Sequence, residues 1–241
     1  MSSLVNPVRI IYEDNHLLVV VKPPNMPTQE DDSHDPDLFN EMKAYIAEKY
    51  HKPGAVYLGL VHRLDRPVGG LLVLARTGKA AERLSKQVQA KRMNREYLAV
   101  VRGNAGSGGE LTDWLLKDPE SNMVRVVAPG TSGAREAKLL YWPVASEGEF
   151  TLVRVHLYTG RSHQIRVQLS HAGMPIWGDA RYGSGHPGEQ IALWGASLTL
   201  EHPTLKEEML FFAPPPENQV PWSRFASYIG KDCESKKDSL M

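Results

Sequence analysis

The run Val61-His62-Arg63-Leu64-Asp65-Arg66-Pro67-Val68-Gly69-Gly70-Leu71-Leu72-Val73-Leu74-Ala75 constrains this chain more than any other. Leu71 to Ala75 has the unbroken aliphatic character of a buried strand. Pro67 biases Arg66 toward extended geometry, so the approach to that strand is not helical. Gly69 and Gly70 let another backbone or a ligand come close. Asp65, between two arginines, is therefore aimed from a stiff connection at a strand edge. A surface ion-pair cluster beside a turn fits these residues alone about equally well. A kinase catalytic loop does not, because Leu64 interrupts His-Arg-Asp and Gly70 stands where Asn is needed.

With 241 residues, 41% of them hydrophobic, the chain can bury a large core as one domain or two tightly joined ones. No run approaches the roughly 18 apolar residues of a membrane span. Met1 to Asn6 lack the basic start and apolar body of a secretion signal. The single cysteine, Cys233, has no internal partner, so a cytoplasmic, non-membrane protein is expected. The formal net charge of +0 hides an uneven distribution. Residues 61–102 hold ten Lys or Arg against three acids, while 28–37 hold five acids and no Lys or Arg. A basic middle of this kind is the footprint of phosphate binding.

Arg9–Tyr12 and Leu17–Val21 read as strands around a turn. Lys22-Pro23-Pro24 follows, and its lysine could face a substrate or be solvated in a surface loop. Residues 28–35 are polar and acidic, with the look of a mobile loop. Asp35 and Pro36 open a helix with Asp35 as cap and Leu38, Met42 and Ile46 on its inner face. Lys52-Pro53-Gly54 stops it, and a strand near Tyr57–Val61 delivers His62. Thr77 caps a second helix with Ala80, Ala81, Leu84 and Val88 inside and Lys79, Arg83 and Lys86 on its polar face. Such a face is either solvated surface or an RNA contact. Asn94 to Gly103 is a strand that puts Arg95, Tyr97, Ala99 and Val101 on one side. Residues 111–116 and 123–127 are short elements around a Gly/Ser-rich loop at 103–109, and further strands fall at 134–142, 150–158, 192–200 and 208–212, with the 134–142 and 150–158 pair joined through 143–149. In the strand over 150–158, Arg154, His156 and Tyr158 alternate with core residues. Trp222 and Phe225 suggest a short docked helix, and the tail from Lys231 is loose.

The second organised stretch runs from Thr159 to Gly173. Ser162 is a good helix cap and Gly173 a good terminator, with Ile165, Leu169 and Ala172 as an inner stripe. The backbone N–H groups at this helix start, with Arg161, could hold a phosphate. Arg166 sits at the edge of that stripe and needs an anion, since burying its charge unpaired is costly. Asp179, in the loop beyond, reads as a local hydrogen-bond acceptor more readily than as a catalyst. His156, His163 and His171 lack the cysteine or close histidine pair of a zinc site.

Many strands with few helices, not alternating regularly, give an α+β fold: a mixed, largely antiparallel β-sheet with flanking helices. No dinucleotide or phosphate-loop glycine pattern is present. An aspartate flanked by cations stays ionised and suits nucleophilic work. Were its target a nucleotide in folded RNA, the base would have to leave its stack, and an aromatic ring would help hold it.

Several motifs in order resemble the RluA family of RNA pseudouridine synthases. They are Leu18 to Pro24, His62-Arg63-Leu64-Asp65 with Gly70, Arg95 to Gly103, Gly160 to Arg166, and Gly173 to Gly183. The resemblance runs from about Ile10 to Phe212. It implies the pseudouridine synthase catalytic fold with a central cleft, over a catalytic domain at 1–230 followed by a flexible tail at 231–241. It also implies isomerisation of specific uridines in ribosomal or transfer RNA. By that resemblance Asp65 is the nucleophile that breaks the glycosidic bond. Arg166 is its ionic partner, and Tyr97 stacks on the base and shares in proton transfer at C5. Arg63 enters the space left by the flipped base, and His62, Arg161, Ser162, His163, Gln164 and Leu169 contact substrate. Neither metal nor organic cofactor is implied, the partner is RNA, and the protein acts as a monomer. The N-terminus is too short for the S4 RNA-binding domain of many relatives. Val68-Gly69 replaces the family's usual Thr-Ser, Ser162 a Thr, and Gln168 a His that would touch RNA. An inactive RNA-binding scaffold is the alternative, resting on Val68-Gly69. A glycoside hydrolase is weaker, for want of an opposing carboxylate.

Overall fold

A computed structural model describes residues 8–186 and 188–230. The expected loose tail at 231–241, with Cys233, lies outside the described residues. The described chain gathers into two compact units, residues 8–94 with 197–213 and residues 95–196 with 214–230. The elements in chain order are β1 (Arg9–Glu13), β2 (Leu17–Lys22), α1 (Leu38–Lys49), β3 (Gly59–Leu60), β4 (Gly69–Ala75), α2 (Gly78–Gln89), β5 (Asn94–Arg102), β6 (Gly109–Lys117), β7 (Val124–Val127), β8 (Arg135–Glu147), β9 (Phe150–Leu157), α3 (Gln164–His171), β10 (Leu193–Glu201) and β11 (Glu208–Phe212). Strand pairs within each unit are antiparallel, which makes this the expected α+β class.

In the first unit β2 pairs with β1 and with β4, in a register that sets Leu17 opposite Ala75 and Lys22 opposite Gly70. Leu17, Val19, Leu71 and Val73 meet Ala80 and Leu84 of α2 and Phe211 of β11 in one core. Thr77 caps α2 as expected, accepting from the Ala80 N–H at 3.1 Å. Leu38, Met42 and Ile46 form the buried face of α1. Its cap is Asp37, however, not Asp35. The Leu38 and Phe39 N–H groups of the first turn donate to the Pro27 and Thr28 carbonyls, which fixes the start two residues later than Asp35 and Pro36 indicate. Asp37 then accepts from the Asn40 N–H at 3.0 Å. The strand expected over Tyr57–Val61 shrinks to Gly59–Leu60.

In the second unit β5 pairs with β9, β9 with β8, β8 with β6, and β6 with β7. The chain does not leave the sheet at Pro143. β8 continues through it, with the register against β9 shifting between Pro143 and Ala145. A bulge accommodates a residue that has no N–H to give the ladder. Trp222 and Phe225 lie on a buried 3₁₀ turn, the short docked helix expected there. Among the described residues no helix is long and apolar enough to cross a membrane.

Candidate active site

Asp65 opens a tight turn closed by the Val68 N–H donating to the Asp65 carbonyl at 3.0 Å. The residues before it alternate. His62 and Leu64 are buried, whereas Arg63 is exposed and Asp65 half-buried. Leu64 is pinned by Thr28, whose hydroxyl donates to the Leu64 carbonyl at 2.7 Å. His62 Nε2 accepts the Val73 N–H at 3.2 Å, which braces the segment against β4. The expectation for His62 is substrate contact; its buried ring takes a hydrogen bond from β4. Val68 is buried, so the departure from Thr falls where a side chain packs. Arg66 donates to Ser33 Oγ at 2.8 Å and pairs with Asp31 and Asp35. The acidic stretch expected as a loose loop is thus tied to the arginine that follows Asp65.

Lys22 is neither a solvated loop lysine nor a substrate-facing one. It is fully buried, and its ammonium donates to the carbonyls of Pro23 (2.9 Å), Met26 (2.7 Å) and Arg66 (3.1 Å). Burial pushes its pKa down to about 7; the Asp65 carboxylate opposes that shift and the Arg66 charge adds to it. The lysine therefore clasps the Lys-Pro turn to the backbone beside Asp65.

In the second unit both faces of β5 are covered, so Tyr97 through Val101 are all buried and strand alternation does not separate core from water. Arg154, expected on a polar face of β9, is also buried and donates to Glu96 Oε2 at 2.6 Å. α3 does not begin at a Ser162 cap. His163 precedes it in the left-handed region (φ 53°) with no side-chain cap bond. The buried Gln164 side chain folds back, its Oε1 accepting from the Arg161 N–H (3.0 Å) and the Thr159 hydroxyl (2.7 Å). Arg161 Nε donates to the Glu136 carbonyl at 2.9 Å. Arg161, expected to help hold a phosphate, thus has its N–H and Nε engaged within the chain. Ala172 is exposed, so the inner stripe is Ile165 and Leu169 without it. Gln168, expected to alter an RNA contact, is fully buried and donates to Asp113 Oδ2 at 2.7 Å and the Ala137 carbonyl at 3.2 Å.

Arg166 is buried, and within its own unit the anion it meets is Asp179. Its Nε and Nη2 each donate to one carboxylate oxygen at 2.8 Å. The same carboxylate accepts from the Arg181 and Tyr182 N–H groups at 3.0 and 3.2 Å. Burial works to raise the Asp179 pKa, but the hydrogen bonds and charge of Arg166, with those two amides, hold it below the usual carboxylate value. The Arg166 guanidinium also lies over the Tyr182 ring, 5.1 Å from its centroid. The Tyr182 hydroxyl in turn meets His163 Nδ1 at 2.7 Å and accepts the Val124 N–H at 2.9 Å. Tyr182 has no periodicity signal in the sequence; its position in a glycine-bounded loop beside Asp179 is the only hint of this role.

The family described as RNA pseudouridylate synthase matches residues 16–171, which include Asp65, Tyr97 and Arg166. The ribosomal large subunit pseudouridine synthase D of Vibrio vulnificus (strain CMCP6) is 32% identical over 231 residues, covering 89% of this chain and 69% of that protein. The uncharacterized RNA pseudouridine synthase YlyB of Bacillus subtilis (strain 168) is 33% identical over 218 residues, covering 88% of this chain and 70% of its own. The solved structure of human RNA pseudouridylate synthase domain containing 4 shares the fold, with a TM-score of 0.74 at 20% identity over 92% of each chain. These findings define an enzyme class, the isomerases that convert uridine to pseudouridine in RNA. The chain belongs to the RNA pseudouridylate synthase family, in its RluA-type branch.

Proposed function

We propose that this enzyme isomerises a uridine of large-subunit ribosomal RNA, with Asp65 as the nucleophile. In this reading the bond from C1′ to N1 breaks, the uracil turns while held in the site, and C1′ rejoins at C5. The C5 proton leaves and N1 gains one, so the isomerisation is balanced without redox chemistry. Tyr97 lies against the base and shares in the proton transfer at C5, Arg166 supplies the cationic partner, and Arg63 fills the space vacated by the base. The observation that carries the reading is the presentation of Asp65. It is half-buried on a closed turn whose neighbours His62, Leu64 and Val68 are all buried and pinned or packed. A carboxylate held this way keeps its aim without losing access. The ribosomal target follows the names of relatives that share about a third of this sequence, and transfer RNA is the second candidate. Cytoplasmic action as a monomer accompanies the reading.

Asp65→Asn keeps the shape and removes the nucleophile. It should bind RNA and release no tritium from RNA labelled at uridine C5. Release above a few per cent of wild type would move the chemistry to another residue. Pseudouridine mapping across all RNAs, with and without the gene, then names the target, and a lost site in transfer RNA alone would overturn the ribosomal assignment.

A further inference from the structure

Arg95 stands two residues before Tyr97 on β5, roughly 7 Å along the strand and on the same side of it. Its surroundings differ from those of four other arginines discussed above. Arg66 and Arg166 have carboxylates, Arg154 has Glu96, and Arg161 has a carbonyl. Arg95 is partly buried, and its Nε is buried with no hydrogen-bond partner among the described residues. No carboxylate among the described residues pairs with it either. Its guanidinium lies instead against Gly160. A Cβ at that glycine would stand 3.1 Å from Nη1, 3.3 Å from Nη2 and 3.6 Å from Cζ. Gly160 takes no left-handed backbone angle, so the missing side chain answers the need for space and not a turn.

A guanidinium held against the main chain, with no anion and no acceptor for its nitrogens among the described residues, is a half-finished ion pair. Its planar fork fits a phosphate in two-point contact. We infer that Arg95 binds a backbone phosphate of the substrate RNA at the nucleotide whose base rests on Tyr97, with Gly160 kept bare so that the fork can lie there. This rests on the reading that gives Tyr97 the base. The contact holds substrate in the ground state and the transition state alike, so it acts on KM more than on kcat. A purely structural arginine bracing the 159–161 segment would act on stability instead.

The test uses the whole protein and total RNA from cells lacking the gene, labelled with tritium at uridine C5, so that whichever RNA is the substrate is present. Arg95→Gln should raise KM about tenfold with kcat within twofold. It should also lower the slope of log kcat/KM against log salt by roughly one, the loss of one phosphate contact. Arg95→Lys should keep the slope and recover only part of KM, having charge without the fork. Gly160→Ala should raise KM several-fold by pushing on the guanidinium, yet add nothing in an Arg95→Gln background. An unchanged salt slope in Arg95→Gln, or additive effects of the two changes, would overturn the assignment. Wild-type protein that releases no tritium would instead sink the functional reading, and this inference with it.

Discussion

Arg166 and Asp179 form a two-point ion pair in which Nε and Nη2 each reach a separate carboxylate oxygen at 2.8 Å, with both side chains almost wholly buried. The motif fixes the arginine from the helix, and the loop beyond α3 returns the carboxylate thirteen residues later. Removing one partner of such a pair strands the other charge. Arg166→Ala or Asp179→Ala should each cost roughly 3–5 kcal/mol in urea unfolding. The double variant should lose less than the sum of the two, because neither charge is left behind. Arg166→Lys should recover little, since an ammonium cannot reproduce the fork. Additive losses would mean that the pair does not hold α3 to its loop.

The pH dependence of this pair has a fixed sign. The folded-state pKa of Asp179 is depressed, so its contribution is present above the unfolded value near 3.8 and fades as pH falls through the lower folded value. Wild type should therefore lose its advantage over Asp179→Asn on acidification below about pH 4. Urea midpoints for both proteins at descending pH check this, and parallel curves would exclude the linkage.

What the sequence made legible was chiefly what depends on periodicity, and one of the three helix caps. The Leu38, Met42 and Ile46 stripe, the Thr77 cap and the strand that follows Asp65 fall where they were expected. The polar interior was not legible. Lys22, Gln164 and Gln168 are long polar residues that by type belong outside, yet each is buried against backbone carbonyls from distant segments. No local pattern encodes a carbonyl supplied from elsewhere in the chain. The start of α3 failed for a related reason. Ser162 is a good cap by type, but His163 takes the cap position with a left-handed angle and no side-chain cap bond, and the Gln164 side chain accepts the Arg161 N–H ahead of the helix.

The basic face of α2 divides once its partners are known. Arg83 donates to the Pro203 carbonyl at 2.8 Å, and Lys86 pairs with Glu82 one turn away at 2.7 Å. Lys79 is exposed with no such partner among the described residues. Lys79→Gln should lower the salt slope of RNA binding by roughly one, for matched and unmatched RNA alike, and Lys86→Gln by less. Binding titrations across ionic strength decide it. An unchanged slope for Lys79→Gln would turn this face of α2 away from RNA.

Lys22 yields the most specific expectation about stability. Its ammonium is fully buried at the end of β2 and shared among three carbonyls. Lys22→Met would leave those acceptors without donors, at a cost of about 1–3 kcal/mol per unsatisfied group. The cost should vary with pH in one direction. The folded-state pKa is lowered to about 7 from an ordinary value of 10.5. Below pH 7 both states carry the proton, and the group adds no slope. Between 7 and 10.5 the folded protein has released a proton that the unfolded chain still holds, so this residue makes folding more favourable as pH rises. The stability difference between wild type and Lys22→Met should therefore widen from pH 7 toward 10 in urea titrations. A difference that stays flat across that window would mean that the three carbonyls hold the proton on Lys22 against the effect of burial. The clasp beside Asp65 would then be a permanent positive charge.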